Sequence, residues 1–292
     1  MPASPPEVSP IDNLPRPLAV VAHDAGAANM IASWCASAGS PPDFVCVSGP
    51  AAANWNGRFG ETSSCSLEEA IEGAACVLSG TGWASDLEHR ARILAQGSAH
   101  SVAVIDHWVN YAARFERKGE TVLPDVVVVG DALAQDIARG TFPDQTMALW
   151  PNTYVAEQAA KAGEPPANGD TLFVCEPARS DWGRGRQGEF QALDWFAEHG
   201  GAAAANVRLR PHPSDPPGKY ADWLTARPGW TLDTSADISA ALQGAEHVAG
   251  LHSMAMVIAL EAGRNVTCAI PPWGPDCLLP HPGIARLNIA GA

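Results

Sequence analysis

Short apolar runs along this chain alternate with longer segments in which apolar residues recur every three or four positions. That is the pattern of buried strands joined by helical crossovers in a mostly parallel sheet. In the first half, LAVVAHD (18–24), DFVCVSGP (43–50), ACVLSG (75–80), SVAVID (101–106), VVVVG (126–130) and a short TMALW (146–150) read as strands. GAANMIASWCASAG, SLEEAIEGA, WASDLEHRARILAQG and DALAQDIARG read as the helices of that half. Roughly five or six βα steps complete a doubly wound domain.

The richest Pro/Gly/Asn stretch in the interior, KAGEPPANGD (161–170), interrupts the alternation and reads as an interdomain linker with its break near Pro165. Strand and helix patterns then restart with TLFVCE, GEFQALDWFAEHG, NVRLR, KYADWLTA, WTLD, ADISAALQGA, HVAGL, SMAMVIALEAG and NVTCAI. The expected fold class is α/β, two Rossmann-like doubly wound domains over 17–162 and 163–292, facing each other across a cleft. Residues 1–16, proline-rich and without an apolar core, read as a disordered lead-in and not as a signal peptide.

Composition narrows the partners. The chain has 292 residues, 46% of them hydrophobic, and a formal net charge of −14. That balance excludes wrapping a nucleic-acid polymer and allows at most peripheral membrane contact, since both partners require a basic surface. Charge is uneven: residues 1–160 hold 18 acidic and 8 basic residues, residues 161–292 hold 14 and 10. Arg179, Arg184, Arg186, Arg208 and Arg210 cluster in the second half. The seven cysteines include no CxxC and sit mostly in apolar runs, the usage of reduced buried thiols. With no apolar run near the roughly 18 residues that cross a bilayer, the expected location is cytoplasmic.

Function in this architecture gathers at the carboxyl ends of the strands. The first strand ends in His23-Asp24-Ala25-Gly26-Ala27-Ala28-Asn29. Its small residues let a ligand approach the backbone at a helix start, and Asp24 reads equally as a cap of that helix. The GxGxxG spacing of a dinucleotide site is absent. Ser79-Gly80-Thr81-Gly82-Trp83 forms a second such turn, which makes Gly26, Asn29, Thr81 and Gly82 candidate substrate contacts. Asp106 emerges from an apolar strand beside His107 and is the first candidate for a general base, ahead of Asp24. The structural reading of the same segment is a capping Asp with His107 stacked on Trp108.

In the second half, Arg210-Pro211-His212-Pro213-Ser214-Asp215 follows a strand; two prolines fix the backbone around His212 among arginines, a setting suited to a phosphate. His252-Ser253-Met254 opens a helix whose free N–H groups favour an anion, with Glu261 eight residues on as a candidate ribose contact. The loop EPARSDWGRGRQGEF, with Arg179, Arg184 and Arg186 among glycines, reads as a mobile anion-binding loop. No metal site is expected, because His212, His247 and His252 lack ligand spacing.

The RPHP segment and GLHSMAMVIALEAGRNV, on a two-domain α/β plan, resemble GT-B glycosyltransferases. The likeness is to the bacterial sialyltransferase-like and Kdo transferases and the glycerophosphotransferases of teichoic acid synthesis, which use cytidine-activated donors. The resemblance implies that His212-Pro213 is an HP motif contacting the donor phosphate and that Ser253 is a serine motif holding the same group. It also implies an acidic pair followed by glycine after an amino-domain strand. This chain has Asp106-His107-Trp108 there, and Asp24-Ala25-Gly26 on its first strand. The expected reaction is inverting transfer of a sugar, with a nonulosonic acid as one candidate, from a CMP-sugar in preference to a UDP-sugar, with no cofactor. Two other classes stay open: a nucleotide-sugar epimerase or hydrolase of the same plan, and a non-catalytic sugar- or nucleotide-binding protein.

Overall fold

The computed structural model describes residues 9–61 and 64–287. It divides into two compact units, Met1–Tyr154 and Val155–Ala292.

Unit 1 carries β1 (Leu18–Ala22), α1 (Ala25–Ala36), β2 (Phe44–Val47), α2 (Gly49–Phe59), α3 (Leu67–Glu72), β3 (Cys76–Ser79), α4 (Leu87–Ala95) and β4 (His100–Ile105). It continues through a small hairpin, β5 (Glu116–Arg117) with β6 (Glu120–Thr121), to β7 (Val126–Val129), α5 (Ala132–Thr141) and β8 (Met147–Leu149). The sheet order is β2-β1-β3-β4-β7-β8, and every ladder in it is parallel. Parallel strands are covered on both faces, so they read as unbroken apolar runs. In β1, Leu18, Val20 and Ala22 face a core built with Met30, Ile31 and Trp34 of α1, while Ala19 and Val21 face Leu67, Ala70 and Ala91. Local chemistry starts the helices: Ser66 and Glu69 form a capping box on α3, and Asp131 accepts from Ala134 N to cap α5.

Unit 2 begins within α6 (Thr153–Ala162) and holds β9 (Asp170–Val174), α7 (Gly188–His199), β10 (Val207–Arg210), α8 (Ala221–Thr225), β11 (Trp230–Leu232), α9 (Ile238–Gln243), β12 (Ala245–Gly250), α10 (Met254–Glu261), β13 (Asn265–Cys268) and β14 (Ile284–Arg286). Its sheet is also wholly parallel, in the order β11-β10-β9-β12-β13-β14. Renumbered within the unit this is 3-2-1-4-5-6, the Rossmann order. Unit 1 is 2-1-3-4-5-6, the flavodoxin-like order with one more strand. The strand order therefore reverses between β1 and β3 in unit 1, and between β9 and β12 in unit 2. In open α/β sheets the ligand crevice opens at such points.

Five elements escape the sequence pattern. The helix α2 has only Ala51 and Trp55 buried, too few apolar positions to show a period. The ten-residue α6 starts just after the short strand TMALW, and β14 and the hairpin strands are three and two residues long. The lead-in expected at 1–16 lies outside the described residues up to residue 8. From residue 9 it is ordered: Ile11 is fully buried in the core beside Trp34, Ser9 Oγ donates to Trp34 O at 2.8 Å, and Asp12 accepts from Gly39 N. A proline-rich segment with one well-placed isoleucine suffices to tie down a helix end. Ile11→Ala is expected to lower the unfolding free energy by about 2–5 kcal/mol, read as a lower denaturant midpoint at unchanged slope. A change under about 0.5 kcal/mol would return this segment to the status of a loose lead-in.

Candidate functional site

In unit 1 the turn after β1 lies at the switch point, and the sheet ends there without partners for its main chain. A side chain from α4 supplies them. Glu88 is fully buried; its Oε1 accepts from His23 N at 2.7 Å and more loosely from Asp24 N at 3.4 Å, while Oε2 has no hydrogen-bond partner. Burial, offset by these N–H donors and reinforced by Asp24, raises its pKa. Held this way, His23 turns Nδ1 toward Asp24 Oδ1 at 2.8 Å. Gly49, at φ +55°, faces the opposite ring nitrogen, where a Cβ would stand 2.5 Å from Nε2. Asp24 is the N-cap of α1 yet makes no side-chain cap, because its carboxylate is engaged by the imidazole.

Asp106 sits at the end of β4, and its Oδ1 accepts from Arg114 Nη1 at 2.8 Å. Arg114 is itself buried, donating also to Thr81 Oγ1 and Val109 O. The carboxylates of Asp24 and Asp106 lie against Gly82 and Gly26, where any Cβ would overlap a carboxylate oxygen. The two small-residue turns thus make room for acids of this chain. Thr81, expected to touch substrate, is fully buried under the turn, its hydroxyl donating to Val104 O. His107 accepts from Trp108 N through Nδ1, but its ring is edge-on to Trp108 at 5.4 Å and not stacked on it, and Asp106 pairs with Arg114 while Tyr111 holds the N-cap of the next short helix. Asn29 is half-buried on α1.

In unit 2 the corresponding turn follows β12. Glu176, just after β9, accepts from His252 N at 3.0 Å and stands 3.3 Å from His252 Nε2, so one carboxylate fixes both the main chain and the ring. Ser253 is the N-cap of α10 but makes no cap bond, and its buried Oγ has no partner. The helix start therefore presents a hydroxyl and unpaired N–H groups beside His252, which can hold an anion. Met254 is the first residue of α10. Glu261 is its last, exposed, and about 12 Å along the axis from Ser253; the two belong to opposite helix ends and do not form one site.

The HP segment is fixed by its own loop. Asp215 Oδ2 accepts from His212 N and Tyr220 Oη, both at 2.9 Å. Ser214 N donates to His212 Nδ1, which leaves the ring proton on Nε2 as a donor. Pro213 is exposed. Next to this loop a pocket of about 200 Å³ is lined by Arg179, Gln187, Glu189, Ser214, Asp215 and Lys219. Lys219 lies against Glu189 Oε1 and Asp215 Oδ1, and exposed Arg179 stands at the rim.

The other arginines are committed elsewhere. Arg208 pairs with Asp170 and Asp233, and Arg210 with Asp233, so neither offers a free cation to a phosphate. Arg184 stacks 3.8 Å over Trp273, and Arg186 pairs with Asp194. The loop expected to be mobile is folded on Asp181, which accepts from Gly183 N and Gly185 N, and on Gln191, which donates to Asp181 O and Arg186 O. Sequence reasoning missed Glu88, Arg114, Glu176 and Lys219. Glu176 carried the signal that singled out Asp106, an acid emerging from an apolar strand. Glu88 and Arg114 are visible only once distant strands are paired. Among the described residues no group of three or more His, Cys, Asp and Glu side chains is placed to hold a metal ion.

No protein-family model and no curated protein sequence matches the chain. Two solved structures are similar to it at 12% identity each. One is the wall teichoic acid polymerase TagF, with a TM-score of 0.44 over 88% of this chain and 70% of that one. The other is KpsC of Thermosulfurimonas dismutans, a beta Kdo 2,7 transferase, with a TM-score of 0.34 over 92% of this chain and 83% of that one.

Glu88 gives the unit 1 turn a pH signature. Its folded pKa is raised above the ordinary 4.5, so its contribution is complete below 4.5 and is lost as pH rises through the folded value. Glu88→Gln keeps the acceptor oxygen and is expected to remove that loss, so that the variant gains on the parent as pH is raised from 4 to 8 in denaturation curves. Glu88→Ala, which strands His23 N, is expected to cost about 1–3 kcal/mol at every pH. Equal pH profiles for parent and Gln variant would mean that this carboxyl ionises normally.

Proposed function

We propose that the chain is a glycosyltransferase of the GT-B plan that moves a sugar from a cytidine-activated donor to a hydroxyl of a glycan acceptor, with inversion and without a resident metal. The observation that carries this reading is the unpartnered Ser253 hydroxyl at the start of α10, beside a His252 clamped by Glu176, at the switch point of a Rossmann-ordered sheet. A phosphate bound there completes the hydroxyl and the helix N–H groups together. His212, with its proton on Nε2, and Arg179 add donors suited to phosphate oxygens. The preference for cytidine, and for a nonulosonic acid as the sugar, rests on the resemblance of the HP and serine segments alone.

Transfer also needs a base for the acceptor hydroxyl and a place for the negative charge of the leaving nucleotide. On this reading unit 2 supplies the second, with the α10 dipole and the Ser253 hydroxyl meeting the phosphate as the glycosidic bond breaks and His212 and Arg179 as further candidate donors. For the base, unit 1 offers His23 and Asp106. In His23 the Asp24 carboxylate holds the proton on Nδ1, which makes Nε2 the acceptor, the arrangement of a general base with its orienting acid. One oxygen of Asp106 is already taken by Arg114. We therefore rank His23 first and Asp106 second.

Calorimetry of the purified chain with CMP, CDP and UDP tests the donor half. Binding is expected, tightest for a cytidine nucleotide, with Ser253→Ala weakening it about tenfold. No binding of any of the three would end the reading. For the base, His23→Gln is expected to lower turnover about 10²–10⁴-fold with nucleotide affinity unchanged. An active His23→Gln together with a folded, inactive Asp106→Asn would assign the base to Asp106.

A further inference from the structure

Of the ten tryptophans, only Trp83 and Trp273 are exposed, at 48% and 37%. Trp273 has Arg184 stacked on it and its Nε1 bonded to Gln191. Trp83 is different. Its ring lies 5.0 Å from the guanidinium carbon of Arg114, a group buried and fixed by Asp106, Thr81 and Val109. The preceding residue, Gly82, is packed on the Asp24 carboxylate, and its carbonyl accepts from Arg117 Nη2 at 2.5 Å. A large apolar ring is thus anchored along one side and open to solvent over nearly half its area, next in the chain to the glycine that packs on Asp24.

We propose that Trp83 is the stacking platform of a subsite for an uncharged pyranoside, whose ring C–H face lies on the indole while its hydroxyls reach Asp24 and His23. The inference rests on the proposed function, for which it names the acceptor class. Three observations select this chemistry. The ring already carries the Arg114 cation, so a cationic ligand would meet a like charge. Around the turn each acid has a basic partner, Asp106 with Arg114, Asp86 with Arg117 and Lys118, and Asp24 with His23, so neither an anion nor a cation is favoured there over an uncharged ligand. A flat preset indole rewards a rigid ring with a continuous C–H face, which an acyclic polyol lacks.

Saturation-transfer NMR on the whole chain tests this with methyl β-galactopyranoside and methyl β-glucopyranoside as probes and glycerol as the acyclic control. Transfer to the protons of one face of a pyranoside ring is expected, falling about three- to tenfold in Trp83→Ala and only in part in Trp83→Phe. Circular dichroism of both variants confirms that this exposed position leaves the fold intact. No transfer to either pyranoside in the parent, undiminished transfer in Trp83→Ala, or equal transfer to glycerol would each overturn the proposal. Calorimetry with CMP on the same samples separates the two readings. CMP binding without a pyranoside signal sinks the subsite alone; a Trp83-dependent pyranoside signal without nucleotide binding sinks the transferase reading and leaves a sugar-binding site.

Discussion

A parallel sheet leaves main-chain groups without partners where its strands stop, and this chain meets that constraint by burying charged side chains against them. Carboxylates take the N–H groups: Glu88 at His23 and Asp24, Glu176 at His252, Glu189 at Ala178 and Asp215 at His212. Guanidiniums take the carbonyls. In unit 1 Arg92 donates to Gly80, Val122 and Arg114 carbonyls, and burial lowers its pKa to about 10. In unit 2 Arg264 serves helix ends and the start of β12 instead, donating to the carbonyls of Ala162, Gly163, Leu242, Ala245 and Ala262. An unmet buried main-chain group costs about 1–3 kcal/mol, so these few residues decide whether the loops at the strand ends hold one conformation.

The same constraint explains why so few arginines remain for a ligand. A buried guanidinium that satisfies carbonyls or an aspartate cannot also recruit phosphate. In unit 2, Arg208, Arg210, Arg186 and Arg264 have such partners, Arg184 stacks on Trp273, and Lys219 in the pocket by the HP loop is held between Glu189 and Asp215, which leaves Arg179 at the rim. The groups without such a counter-charge are neutral ones with aligned dipoles, the start of α10 and the Ser253 hydroxyl.

The fold was largely legible because parallel strands buried on both faces leave contiguous apolar runs, as VVVV and LAVVA do here. Elements that bury little, such as α2, or that span three residues, such as β14, leave no such trace. At the site, the turns were legible and their contents were not. Gly26 and Gly82 were visible as small residues; that the room they make is filled by Asp106 and Asp24 depends on β1, β3 and β4 lying side by side. Glu261 misled because spacing along a helix shows which face a residue takes, while the end of the helix it occupies is set by where the helix stops.

Glu88 and Glu176 grip the main chain of their turns, so the geometry there does not depend on which side chains the turn carries. Scaffold and reagents are separable. Positions 23, 24 and 253 can exchange one functional group for another in single steps without losing the backbone they stand on, whereas replacing either glutamate with a side chain that lacks an acceptor oxygen strands the main-chain N–H it holds. A lineage built on this plan is free to change its chemistry at the turns and is held to its architecture by two acids that need never touch a substrate.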